Sequence, residues 1–290
     1  MQELEHISFN EEEHSYTNVK TKRRYISVTT LIKHYEAGYD GRYWSIYKGY
    51  QDYLGISDAD KKQFSSLMMR HGLDFKQPCD EDNLIRIIKK SGLKDVSKIE
   101  PFAKKRLELW DANCEYKGER GTRFHKKEEF GAYQSGSMGF STGNVKTNYS
   151  YSFDLSQLQD GGYSELLVYL HEFGIAGQVD KAKFESVGNI TYVDIDDWKT
   201  NDKITIKNGF QKFKAPISHL EETKFNKYAL QLSMYAYILE RHGFTVRHLR
   251  FTHIVLDEDE FEVNRLFYVI PYLRDEVIAI LNDYHSGFSL

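Results

Sequence analysis

The sequence predicts an α/β or α+β protein, with a central mixed β-sheet flanked by helices and an N-terminal region that is largely helical. Two observations support this fold class. Helical periodicity with stop signals dominates residues 31–133, whereas the residues after 160 alternate as strands do. The last helix of the first part is followed by a three-stranded meander, a helix over 225–243 and a further strand. This order indicates a sheet covered by helices.

The length, charge and composition of the chain exclude several classes of protein. A chain of 290 residues with 40% hydrophobic content can bury a core as one large domain or as a core with an appendage. We divide it into residues 1–104 and 105–290. The net charge of −4 excludes a generally basic nucleic-acid coat but allows a local basic groove. The acidic N-terminus and the lack of an 18-residue apolar run predict a cytoplasmic protein without a membrane segment.

Local signals predict the elements of the N-terminal region. Residues 5–28 predict two short strands, "HISFN" and "RYISV", with the turn-rich stretch "EEEHSYTNVKTK" between them. Several helices follow, and "GERGTRFHKKEEFGAY" is predicted as a separate helix before the meander. The first helix is capped by one of three hydroxyl residues: Ser27, Thr29 or Thr30.

The stretch "VDIDDWKT", residues 193–200, places three aspartates and a lysine on a segment that otherwise has the pattern of a buried strand. Because side chains alternate along a strand, Asp197 and Lys199 continue the apolar face. Asp194 and Asp196 lie on the opposite face. Burying a carboxylate is costly, so Asp197 needs a specific partner.

A predicted turn at Gly188–Asn189 determines what lies opposite Asp197. A two-residue hairpin turn there pairs Val187 with Ile190, and the same register places Asp180 directly opposite Asp197. Two facing carboxylates destabilise a ladder unless a positive charge lies between them. Mg²⁺ is typically held by one or two carboxylates, so the pair predicts a divalent cation site.

Lys199 adds a group that suits phosphodiester cleavage at such a site. A charged lysine cannot ligate a metal, but it can hold or deprotonate a water, or neutralise charge that develops on the phosphate. The structural alternative is an Asp180–Lys199 ion pair on a solvated face.

Four further residues have side chains suited to this chemistry. Glu165 begins the preceding strand, and His125 lies on the helix before the meander. Gln231 and Tyr235 share a helical face because they are four residues apart. Each of them alone has an ordinary structural explanation. Their order along the chain, His…Glu…GxxD…DxK…QxxxY, makes the set informative.

This order resembles the RecB-like branch of the PD-(D/E)XK nuclease superfamily, and it looks closest to phage-encoded exonuclease-like members. The resemblance is strong over residues 105–256 and extends to "YISVTTLI" near the N-terminus. The matching pieces are "GTRFH" (His125), "SE" (Glu165), "GQVD" (Gly177 to Asp180), "DWKT" (Asp197 to Thr200) and "QLSMY" (Gln231 to Tyr235).

The resemblance implies a restriction-endonuclease-like core and a DNA nuclease that depends on Mg²⁺ or Mn²⁺. It implies that Asp180 and Asp197 are carboxylate ligands of the metal and that His125 is a histidine ligand. The Trp198 carbonyl is implied as a further ligand. Glu165 matches an accessory acidic position that can also ligate the metal.

The resemblance also assigns the remaining site residues. It implies that Lys199 is the catalytic lysine, and that Gln231 and Tyr235 brace this lysine and contact the DNA backbone. Family members with an iron–sulfur cluster need four cysteines. This chain has two, so no cluster is expected. The insertion near 135–163 is longer than the core requires.

DNA is the expected partner, as a single strand or as duplex ends. Tyrosines recur every four residues from Tyr35 to Tyr47, a stripe that suits either a core or the stacking of bases. The helical region is predicted to form a wall that guides DNA to the site. The residues predicted to bind DNA, some of which also suit a solvated face, are Lys22, Arg23, Arg24, Ser27, Thr29, Lys203, Lys207 and Tyr235.

The predicted function is therefore metal-dependent hydrolysis of DNA. An exonuclease in phage-type recombination, replication or end processing is the first expectation, acting in the host cytoplasm if the protein is phage-encoded. An endonuclease of the same fold is one alternative. A DNA-binding or complex-forming module that does not cleave is the other.

Overall fold

The computed structural model describes residues 7–10, 13–136, 138–139, 149–151, 155, 158–209 and 211–287. The chain divides into two compact units, Met1–Ala37 with Arg120–Leu290, and Gly38–Glu119. The predicted boundary at residues 104/105 therefore lies inside the second unit. The N-terminal strands belong instead to the unit that contains the sheet. Most of the predicted insertion, 135–163, lies outside the described residues.

The described residues form ten strands and seven α-helices. The strands are β1 (Ile7–Asn10), β2 (Ser15–Asn18), β3 (Arg24–Ser27), β4 (Met138–Gly139), β5 (Tyr149–Tyr151), β6 (Gly161–Leu170), β7 (Ile175–Val187), β8 (Ile190–Lys199), β9 (Thr245–Leu256) and β10 (Glu262–Val269). The helices are α1 (Val28–His34), α2 (Gly41–Tyr53), α3 (Lys61–Arg70), α4 (Glu81–Lys90), α5 (Glu100–Gln134), α6 (Lys224–Arg241) and α7 (Arg274–Gly287).

The strands form a mixed sheet, as the sequence predicts. β6, β7 and β8 are an antiparallel meander, and β9 is parallel to β8 because α6 carries the chain back before it. β10 pairs antiparallel with β9 at the edge of the sheet. The predicted order of helix, meander, helix and strand is confirmed. The sheet and helices fix the class as α+β with a mixed sheet.

One hydrophobic core joins the sheet to its helices. Leu31 of α1, Leu232 of α6 and Ile280 of α7 are fully buried in the same cluster as Val179 and Ile195 of the meander. Each such side chain stabilises the fold by roughly 1.5–3 kcal/mol relative to an exposed one. The side chains that line the site project from this rigid layer.

The N-terminal residues form three strands rather than the predicted two. The stretch "SYTN", predicted as part of a turn, is β2 and pairs with β1 on one side and with β3 on the other. The polar Asn18 at its end is buried, because its side-chain oxygen accepts hydrogen bonds from the turn amides of Lys20 and Thr21. β3 then joins β7 in parallel through Ile26 and Ser27. Ser27 caps α1, as one of the three predicted caps.

The two helices predicted around residue 118 are one helix of 35 residues, α5. Gly118 and Gly121 lie inside it. A glycine in a helix interior costs only about 1 kcal/mol relative to alanine, and that is too little to end a long helix. His125 is therefore held by a continuous helix.

The second unit is helical and has a core of its own. Tyr43, Tyr47 and Tyr50 of α2 are buried against Phe64 and Met68 of α3. The core explanation of the tyrosine stripe therefore holds for Tyr43 and Tyr47, whereas Tyr39 is 65% exposed. Among the described residues, no helix combines the length and the apolar character that a membrane span requires.

Candidate active site

Three carboxylates occupy neighbouring positions on β6, β7 and β8. Val187 pairs with Ile190 as predicted, and the ladder continues to Lys181 and Asp196. The next position along this register sets Asp180 beside Asp197. On the other side of β7, Ser164 pairs with Lys181 and Leu166 with Val179, so Glu165 lies beside Asp180. The row crosses the meander in the order Glu165, Asp180 and Asp197.

Glu165 has an unusual backbone conformation. Its φ of +52° lies in the left-handed region, although it is inside a strand and is not glycine. Such a conformation costs on the order of 1–3 kcal/mol and persists only where the surrounding structure imposes it, most often at functional sites. Burial, followed by the charge of Asp180, raises the pKa of Glu165 well above its usual range.

Asp197 and Lys199 form a buried ion pair. The Asp197 side chain is 1% exposed, and the Lys199 ammonium contacts its Oδ2. Burial, and then the neighbouring Asp180, raise the pKa of Asp197 to about 7. Burial opposes the charge of Lys199, but the two carboxylates outweigh it and raise the pKa of Lys199. The structural alternative, an Asp180–Lys199 pair on a solvated face, does not describe this buried arrangement.

Asp180 is held at the centre of the row. The backbone N–H of Trp198 donates to its Oδ2 at 2.7 Å, and Nδ1 of His125 lies 3.4 Å from the same oxygen. Burial is the main cause of the raised pKa of Asp180. Asp180 is buried between Glu165 and Asp197, so a cation bound next to Asp180 would relieve the repulsion among these three carboxylates most effectively.

His125 faces two acceptors. Its Nε2 lies 3.1 Å from the carbonyl oxygen of Trp198, and its Nδ1 faces Asp180. Burial, followed by the charge of Lys199, lowers the pKa of His125, which favours a neutral ring. A neutral imidazole has one N–H, so it can donate to only one of these oxygens. The shorter contact assigns that hydrogen to Nε2, which leaves the Nδ1 lone pair directed at a carboxylate.

The donor set fits a divalent cation. One ligand atom each of His125, Glu165 and Asp180 lies within 4.8 Å of the others. A lone pair of His125 that faces a carboxylate oxygen of Asp180 is unfavourable without a cation between them. The Trp198 carbonyl, which was predicted to be a ligand, accepts the hydrogen bond from His125. It therefore orients the imidazole as the outer partners of metal-bound histidines do.

Gln231 and Tyr235 meet on α6, as their spacing predicts. The amide Nε2 of Gln231 donates to the hydroxyl of Tyr235 at 3.1 Å. The Tyr235 ring is buried and lies against the backbone of Gly177, where a β-carbon would come within 2.6 Å of Cε1. Glycine at the start of the "GQVD" piece therefore admits the ring of Tyr235 beside the carboxylates.

We expect Gly177→Ala to lower the melting temperature, because the new methyl group must displace Tyr235. Overpacking of this kind typically costs about 1–3 kcal/mol. Gly131→Ala in α5 is the matched control, since a β-carbon there meets no atom within 4 Å. Thermal unfolding of both variants tests this contact, and equal stability of Gly177→Ala and wild type would contradict it.

Tyr228 is a residue of the site that the sequence reasoning missed. The Lys199 ammonium lies 4.8 Å from the centre of the Tyr228 ring, and the Tyr228 hydroxyl donates to Asn201. The available signal was its position three residues before Gln231, which places both on one face of α6. Tyr228 stabilises the charged lysine by a cation–π contact.

If Lys199 serves the nuclease reaction expected from the sequence, Tyr228→Leu should lower the maximal rate of DNA cleavage, whereas Tyr228→Phe should retain most of it. Phenylalanine keeps the ring under the Lys199 ammonium and loses only the hydrogen bond to Asn201. A desolvated cation–π contact is worth about 2 kcal/mol. Steady-state kinetics of both variants measure the difference, and equal rates for the two would show that the ring is not used.

The two remaining aspartates of "VDIDDWKT" have structural partners. Arg247 donates to both carboxylate oxygens of Asp194 at 2.9 and 2.7 Å, and two nitrogens of Arg250 donate to Oδ2 of Asp196 at 2.9 and 2.5 Å. Both arginines come from the neighbouring strand β9. These ion pairs account for the acidic residues that the sequence placed on the opposite face.

The site opens into a cavity of about 220 Å³. Ser27 and Thr29 line it, and so do all the candidate catalytic and metal-binding side chains except Asp197, which lies beneath them. The five basic residues predicted to bind DNA are not among its lining residues in the described part of the chain. All five are exposed, and their role in DNA binding stays a prediction. They are Lys22, Arg23, Arg24, Lys203 and Lys207.

No protein-family model matches the chain, and a search of curated proteins finds no significant match. The class of protein therefore has to be inferred from the fold and from the chemistry of the site.

Proposed function

We propose that the protein is a metal-dependent deoxyribonuclease that hydrolyses phosphodiester bonds, acting as an exonuclease. The observation that supports this most is the row of Glu165, Asp180 and Asp197 across the meander. Lys199 contacts Asp197, and His125 faces Asp180. Buried carboxylates beside an imidazole and a lysine suit a cation and an anionic substrate together.

The residues that would hold Mg²⁺ or Mn²⁺ are Asp180, Glu165 and His125, with Asp197 beside them. When bound, the cation would neutralise charge on the phosphate and lower the pKa of a water. The protein's own contribution is to fix the ligands. The Trp198 amide holds Asp180, and the Trp198 carbonyl holds His125.

Lys199 would interact with the phosphate of the substrate and would not ligate the metal. Its ammonium stays charged because Asp197 and Asp180 raise its pKa, and Tyr228 packs against it. A fixed cation beside the reacting phosphate stabilises negative charge that develops in the transition state. The exonuclease assignment rests on the resemblance to exonuclease-like RecB-type nucleases.

Digestion of end-labelled linear DNA and covalently closed circular DNA tests the proposal. Both substrates are incubated with Mg²⁺ or Mn²⁺, and EDTA is added to parallel samples. We expect metal-dependent release of short products from linear DNA only. Lys199→Met should cleave about 10²–10³-fold more slowly than wild type. Asp194→Asn, on the same strand but on the opposite face, should keep wild-type activity.

Each outcome has a distinct meaning. Cleavage of the circular substrate would assign an endonuclease. Binding of DNA without cleavage by the wild type would assign a binding module. Cleavage that persists in EDTA, or cleavage at the wild-type rate by Lys199→Met, would refute the proposed site.

We expect His125→Ala to lower activity and to reduce the preference for Mn²⁺ over Mg²⁺. Imidazole nitrogen suits transition metals better than it suits Mg²⁺. The ratio of rates with the two metals measures this preference, and a melting curve of the same variant detects any loss of fold. His34→Ala, an exposed histidine on α1, is the control. An unchanged ratio with a lower melting temperature would make His125 a packing residue only.

A further inference from the structure

The cavity has a second wall, whose residues have no role in the proposed hydrolysis. One wall consists of the candidate metal ligands and Lys199. The other comes from the N-terminal strands and α1, and its polar side chains are His14, Tyr16, Ser27 and Thr29. The turn before β2 therefore lies across the cavity from the residues proposed to cleave DNA.

His14 is held in an unusual conformation at this wall. Its φ is +46°, in the left-handed region that few non-glycine residues adopt. Its ring packs edge-on against Phe9 with the centroids 5.2 Å apart, and Phe9 stacks on Tyr16 at 4.9 Å. Phe9 and Tyr16 are both buried and face each other across β1 and β2. The exposed imidazole is thus fixed on a rigid aromatic base.

The catalytic wall carries the carboxylates of Glu165 and Asp180, so an anionic substrate is bound better when the opposite wall also supplies donors. Lys199 is bound to Asp197, and the two nitrogens of His125 face Trp198 and Asp180. In the described part of the chain, the ring nitrogens of His14 make no hydrogen bond. An imidazole has an N–H to donate whether it is neutral or charged.

We infer that His14 contacts the DNA, donating an N–H to a phosphate oxygen next to the bond that is cleaved. The N-terminal hairpin is then part of the substrate site, and His14 positions the strand against the catalytic wall. This inference rests on the proposed nuclease function. It assigns a phosphate-binding role to a residue outside the meander and α6.

Two substitutions separate the donor from the backbone conformation. Glycine permits the positive φ and has no donor, whereas asparagine also tolerates the left-handed region and can donate. We expect His14→Gly to weaken DNA binding and to raise KM by about tenfold, as for the loss of one hydrogen bond to a charged group. His14→Asn should recover much of this loss. Neither variant should change kcat as strongly as Lys199→Met does.

Binding is measured by fluorescence anisotropy of a labelled oligonucleotide with Mg²⁺, in the Lys199→Met background so that the probe is not cleaved. KM and kcat are measured with the otherwise wild-type protein. Melting curves verify that both variants fold, and His34→Ala serves as the control. Equal binding and KM for folded His14→Gly and wild type would overturn the inference alone. Wild-type protein that neither binds nor cleaves DNA would overturn the proposed function with it.

Discussion

Replacing Lys199 with methionine should lower DNA cleavage by about 10²–10³-fold, the loss typical for one group that stabilises transition-state charge. Methionine keeps most of the side-chain volume but removes the charge. The candidate ligands Asp180, Glu165 and His125 remain, so metal affinity at pH 8 should stay within a few-fold of wild type. The substitution therefore separates metal binding from the chemical step.

Single-turnover cleavage and metal titration on the same preparation measure both effects. Lys227→Met is the matched control, because Lys227 also forms ion pairs, with Glu36 and Glu222, but does not line the cavity. Its cleavage rate should be that of wild type. A large loss of metal affinity in Lys199→Met, or cleavage at the wild-type rate, would contradict the role given to this lysine.

Asp197→Asn should stabilise the metal-free protein at pH 8 while removing its activity. The pKa of Asp197 is raised to about 7, so the folded state binds more protons than the unfolded state between about pH 4 and 7. Wild-type stability therefore falls as the pH rises through this window. The upper limit is about 4 kcal/mol, the equivalent of raising the pKa from 3.8 to about 7. We expect a gain of about 2 kcal/mol, because Lys199 loses its partner.

Chemical unfolding in EDTA at several pH values measures this effect. The pH dependence of stability between about 4 and 7 should be flatter in the variant. Added Mg²⁺ should stabilise wild type by mass action and the variant less, which reverses the order. A variant that is less stable than wild type at every pH in EDTA would show that Asp197 does not strain the metal-free fold.

The sequence predicted the core of the fold because its signals are local. The turn at Gly188–Asn189 set the register of β7 and β8, and alternation along the strand assigned Asp197 and Lys199 to one face. Two features escaped prediction, each for its own reason. β2 forms from the polar stretch "SYTN" since it has a strand on either side. α5 continues through Gly118 because an isolated glycine is a weak stop.

The candidate site was also predictable in part. The hairpin register and the order of the motifs predicted that Glu165, Asp180 and His125 belong to one site. The three side chains lie close together in the fold. The ring of Tyr228 under Lys199 and the approach of His14 to the cavity were not predictable. Both depend on how distant elements pack, and neither residue belongs to a motif that the sequence singles out.

The most direct test is the rate of cleavage of end-labelled linear DNA as a function of Mn²⁺ concentration, for wild type and Asp180→Asn. Asparagine keeps an oxygen for the Trp198 amide but loses the charge, so the fold should persist. The site predicts saturable, Mn²⁺-dependent cleavage by wild type. It also predicts that Asp180→Asn is inactive or needs at least about tenfold more metal. Cleavage with the same metal dependence in both proteins, or no cleavage by wild type at any Mn²⁺ concentration, would contradict it.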